Sequence, residues 1–204
     1  MSEYKSGKRT LLMSVLMSSP GPLVVGLGLL VGQSSTQLAD FVRRSADLLA
    51  IILSFVVYTL TTKENYTDLE KKARLERFSN RFVGAALLLG GIAMLFIAVF
   101  SENTDKGNVI PGLSIAVMGV IANSLFWRKY TRLSRETANP ILTVQARLYR
   151  AKTIVDSCVT IALATVAIFP QSQAAYYLDI VGSVIVAVYL VYCGAKTIKE
   201  SYQS

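Results

Sequence analysis

The chain has no histidine among its 204 residues. That removes the commonest zinc ligand and the usual pH-sensing side chain. Its two cysteines, Cys158 and Cys193, each sit inside an apolar run without CxxC spacing, so they look like small packing residues rather than a disulfide framework. Charge is scarce, at 17% of residues. The sequence contains no paired nucleophile and base, Gly-rich phosphate loop or metal-ligand cluster, so neither an enzyme nor a bound cofactor is expected. A cleavable signal is not expected either, because the first apolar run continues to Val31 with no small-residue cleavage site.

Apolar length is present in quantity. The composition is 52% hydrophobic with a mean hydropathy of +0.46, too apolar for an ordinary soluble domain. About 18–20 apolar residues suffice to span a bilayer, and several such runs occur. The expected fold is all-α and integral to the membrane: one transmembrane domain of six helices, spanning about 10–31, 36–60, 82–100, 109–127, 143–169 and 176–197. The net charge is +8. In a soluble chain this would suggest nucleic acid, but here the basic residues flank the spans, so no nucleic-acid partner is expected. The N-terminus, the loops after spans two and four and the C-terminus are all basic. The other three loops together hold only Lys106. The positive-inside rule therefore predicts cytoplasmic N- and C-termini in a multi-pass protein of the cell membrane.

Several local features stand out. Ser18-Ser19-Pro20-Gly21-Pro22 interrupts span one and predicts a kink or a short unwound piece. Gly28 and Gly32 permit close helix contact there, and Ala86 and Gly90 make a small-xxx-small pair in the uncharged third span. Glu70, Lys71, Arg74 and Arg77 predict a solvated helical face leading into that span. Tyr149, Tyr176, Tyr177, Tyr192 and Trp127 lie near span ends, where amphipathic rings are expected.

Span two carries Asp40, Arg43, Arg44 and Asp47 in its first half. Helical spacing places Asp40, Arg43 or Arg44, and Asp47 on one stripe. Each charge near a bilayer centre costs about 2.5–3.5 kcal/mol on insertion scales. Either the stripe faces a watery bundle interior, or the span starts near Ala46 and the charges are juxtamembrane. Span five also begins charged, with Arg147, Arg150, Lys152 and Asp156. Arg43-x-x-x-Asp47 and Lys152-x-x-x-Asp156 each set a cation four residues before an acid. They read either as two intrahelical pairs or as one shared polar site. Asn123 is the one strongly polar interior residue of span four, and Asp179 opens span six.

With these residues in view, the chain resembles the cation diffusion facilitator family. The segment Ser34–Asp47 is similar to the family's helix-two motif S-x-A-L-L-A-D-A-x-H-x-x-x-D. Asp40 and Asp47 match, and Arg43 takes the place of the metal-binding histidine. Asn123 falls where the family has an Asn in helix four, and Arg74-Leu75-Glu76 resembles the basic-x-Glu before helix three. The family's helix five also carries H-x-x-x-D. One register equates it with Lys152 and Asp156; the other, counted from Asn139-Pro140, gives Leu148 and Lys152. The resemblance implies six helices, cytoplasmic termini, a central site between helices two and five, and a homodimer through transmembrane helices. Span three, with Ala86 and Gly90, is the candidate interface. The family's soluble C-terminal domain is not expected in this chain.

In charged form an ammonium or guanidinium has no lone pair for a metal. The expected site therefore has no metal ligands. Asp40, Arg43, Asp47, Lys152 and Asp156 form it, with Arg44, Asn123, Arg150 and Asp179 in support. The function expected is transport of a small ion or molecule, organic cation or anion, with proton coupling feasible. The alternatives are a non-transporting scaffold or regulator, and a divalent-metal carrier using Asp40, Asp47, Asp156 and Asp179 alone.

Overall fold

Proline decides the first structural event. In a computed structural model describing residues 2–31, 35–62, 68–100, 110–168 and 173–203, α1 (Ser2–Ser18) stops two residues before Pro20, and α2 (Pro20–Val31) begins on it. Proline is suited to a helix's first turn, where no backbone donor is needed, and it disfavours helical geometry in the residue before it. The remaining helices are α3 (Ser35–Thr61), α4 (Leu69–Phe100), α5 (Ile110–Thr137), α6 (Pro140–Ile168) and α7 (Gln173–Gln203). Every element among the described residues is helical.

Several helices outrun their apolar runs because their ends are capped. Asp68 Oδ1 accepts the Lys71 N–H at 2.9 Å, so α4 starts well before its apolar stretch and carries the Glu70–Arg77 polar face. Asn139 Oδ1 accepts from the N–H groups of Ile141 and Leu142 at 3.0 and 3.3 Å, opening α6 with Pro140 behind it. The turn between α5 and α6 is only Ala138–Asn139, with Ala138 at φ 49°. So short a connection makes α5 and α6 antiparallel neighbours.

The tertiary arrangement pairs α4 with α7 and α5 with α6, while α3 joins the two halves and α1 braces α3 and α5. Between α4 and α7 the backbones nearly touch. A Cβ on Gly84 would lie 3.0 Å from the Gly194 carbonyl oxygen, and one on Gly91 would lie 2.9 Å from that of Ala187. Large apolar side chains face outward along these helices, among them Leu16, Ile92, Val188 and Ile185. Within the described residues, Leu69–Phe96 and Val181–Gln203 are long and apolar enough to cross a membrane.

This packing reassigns two sequence features. Ala86 and Gly90 face inward: Ala86 is 2% exposed, and Gly90 lies under the stem of Arg43 and Leu190. They therefore pack inside the chain and are not an outward interface. Tyr149 is 1% exposed and packs in the core, stacked on Tyr130 and tilted against Phe126, not at a span end. Gly32 and the side chains of Tyr176 and Tyr177 lie outside the described residues.

Candidate functional site

A cavity of about 490 Å³ opens at the break between α1 and α2. Ser18, Gly21 and Pro22 form its wall at the break; α3 contributes Arg43, Arg44 and Asp47. From α5 come Gly119, Asn123 and Phe126, and from α6 come Tyr149, Lys152 and Asp156. The proline break, two distant in sequence charged stripes and the lone Asn of α5 thus converge on one space.

The pairing inside it runs between helices. Asp47 Oδ2 meets Lys152 Nζ at 3.4 Å across α3 and α6. Their side chains are 16% and 18% exposed, so the pair is largely shielded from water. Asp156 Oδ2 instead accepts a hydrogen bond from Asn123 Nδ2 at 2.6 Å. Arg43, Arg44 and Lys152 all act on that carboxylate through space. Gly119, one turn before Asn123, completes its seat: a Cβ there would come within 2.7 Å of Asp156 Oδ2. Gly119 carried no sequence signal, since a glycine in an apolar helix reads as packing.

Below the ion pair the cavity is closed. Ala50 and Ile51 of α3 meet the level of Leu148 and Tyr149 on α6, all essentially buried. Two turns from Asp47 and Lys152 along the same helices, Gln145 Nε2 donates to Ser54 Oγ at 2.8 Å, and Ser54 shares a hydrogen bond with Ser79 of α4. Ser14 and Tyr130 share another at 2.7 Å. An apolar layer backed by a polar layer therefore seals one side.

Lys152 and Asp156 line the cavity, while Leu148 is fully buried beside it. Arg150 is exposed with its guanidinium 5.9 Å from the Trp127 ring, and it is not among the lining residues. The side chains of Asp40 and Asp179 lie outside the described residues. Among the described residues, no group of three or more Cys, Asp and Glu side chains is placed to hold a metal ion.

The family model described as the cation efflux transmembrane domain matches residues 11–204. The chain belongs to the cation efflux family. Comparison with curated proteins finds no match. Cation efflux proteins are membrane transporters rather than enzymes, so the chain is a membrane protein of the cation-transporting kind. Between α3 and α6 of this cation efflux domain, the Lys152 ammonium rests 3.4 Å from Asp47.

Proposed function

We propose that the chain is a six-span carrier of the cell membrane, with cytoplasmic termini, in which protein-borne cations replace the central metal of cation diffusion facilitators. Asp47 and Asp156 are its working carboxylates, and Lys152 and Arg43 are their counter-charges. The observation that carries this reading is the Asp47–Lys152 contact at 3.4 Å on the wall of a cavity that also holds Asp156. A mobile cation reaching Asp47 displaces the ammonium, so binding is coupled to a movement of α6 against α3. Proton coupling follows the same logic, because a carboxylate released from its cationic partner can take up a proton. We further propose a homodimer through transmembrane faces other than the buried Ala86 and Gly90.

Proteoliposome flux with a substrate panel, with and without a pH gradient, tests the carrier. Asp47→Asn and Asp156→Asn should each lower flux at least about tenfold, the effect of losing a charged hydrogen-bond partner. Flux unchanged in both would remove the reading. The scaffold alternative draws on the same interhelical contact, since a salt bridge can simply clamp two helices. Exchanging the charges, Asp47→Lys with Lys152→Asp, keeps a clamp but should abolish a carrier. A carboxylate-only dication carrier requires Lys152 to leave Asp47 before any metal arrives.

A further inference from the structure

Resting on the carrier reading, we infer that the cavity takes an organic monocation, a primary ammonium on a small apolar or aromatic body. Three features converge on that class. The first is size: about 490 Å³ falls in the range of small-molecule pockets, far more than a bare ion fills. The second is the wall. Met17, Pro22, Val159 and Leu163 give it apolar surface, and the rings of Phe126 and Tyr149, tilted to each other with centroids 5.1 Å apart, give it aromatic surface.

The third is Lys152 itself. Its ammonium lies 3.4 Å from an Asp47 oxygen and 5.3 Å from the Tyr149 ring centroid. Carboxylate plus aromatic face is the combination that binds organic ammonium groups. The chain therefore already holds one primary ammonium on an alkyl stem in this cavity, as a tethered occupant. One turn along α6, Asp156 offers a second such place. The hydrogen bond recorded for it uses Oδ2 and a neutral amide donor. A carboxylate accepts about four hydrogen bonds, and an ammonium has three to give.

Ligand number decides between monocation and dication. A dication needs several oxygen, nitrogen or sulfur ligands gathered at one point, and among the described residues no group of three Cys, Asp or Glu side chains is so placed. An ammonium needs only a carboxylate and an aromatic face. A monocation also exchanges one-for-one with the Lys152 ammonium on Asp47.

Thermal unfolding of the full chain in detergent, followed by the fluorescence of its one tryptophan, Trp127, tests this. The probes are phenethylamine, its uncharged counterpart phenethyl alcohol, benzoate and Zn²⁺. Phenethylamine should raise the midpoint saturably, and the other three should not. Asp156→Asn should weaken the amine at least about tenfold, and Asp156→Glu should restore part of it. Stabilisation by phenethyl alcohol, benzoate or Zn²⁺ equal to that by the amine overturns the inference, as does no response to the amine. The wild-type probe series decides even if a variant fails to fold. Amine binding without flux in proteoliposomes would remove the carrier and leave the ligand class standing. Saturable dication flux without amine binding would do the reverse.

Discussion

Removing one partner of the Asp47–Lys152 pair should cost more than removing both. At 3.4 Å and an effective dielectric near 20, the Coulomb attraction is about 5 kcal/mol before desolvation is charged against it. Desolvation cancels most of that, so the intact pair contributes little net stability. Stripping one partner is different, because the other charge stays in place unpaired. Such losses run about 3–5 kcal/mol for fully buried pairs. Here both side chains keep about a sixth of their exposure and border a cavity, so about 2 kcal/mol is expected for Lys152→Met. Asp47→Asn should cost somewhat less, since the long lysine stem can carry its ammonium toward water. The double variant should return to within about 1 kcal/mol of the parent, a coupling of about 2–3 kcal/mol. Equilibrium unfolding in mixed micelles of the parent, both singles and the double measures it. Additivity within about 0.5 kcal/mol would show that the two charges do not sense each other, and the reasoning on the central site would fall.

Gly119→Ala should push the Asp156 carboxylate off Asn123, since the new methyl would sit 2.7 Å from Oδ2. Substrate flux should drop several-fold while the unfolding midpoint shifts little, and a parental flux would contradict it. Gly194→Val drives a side chain into the Gly84 carbonyl, 2.7 Å from the added Cβ. It should destabilise the fold by about 3 kcal/mol or more in the same micelle assay, as overpacking against backbone does. Asn139→Ala removes the acceptor at the start of α6 and should cost about 1 kcal/mol, read as a lower midpoint with unchanged flux per folded molecule.

Much of the helical layout was legible because local rules decide it. Pro20 and Pro22 break the first helical stretch whatever packs around them, and Asn139-Pro140 starts α6 by its own capping chemistry. The end of α5 was less legible. The Glu70–Arg77 face was expected to be helical and is, but Arg128–Arg135 read as a basic loop by hydropathy and is helical too, because charged residues with good helix propensity extend a helix past its apolar run.

The site was legible as a set of residues but not as a set of partners. Asp47, Lys152, Asp156 and Asn123 stood out because charge and amide are costly in an apolar run. Their spacing left two intrahelical pairs and one shared site both open, and the structure brings Asp47 to Lys152 and Asp156 to Asn123 across helices. Helical periodicity knows only neighbours on its own helix, so the antiparallel register of α3 and α6 lay beyond it. The same blindness made Ala86 and Gly90 look like an outer face and Tyr149 like an interfacial ring.

By itself, then, the sequence determined that the chain is helical, where proline breaks it, and which side chains are too polar for their surroundings, since each follows from nearest-neighbour chemistry. Which carboxylate meets which cation, which glycine makes room for Asp156, and which faces turn inward were decided only when the helices packed. Those outcomes depend on distances between residues tens of positions apart or more, and no local rule carries that information.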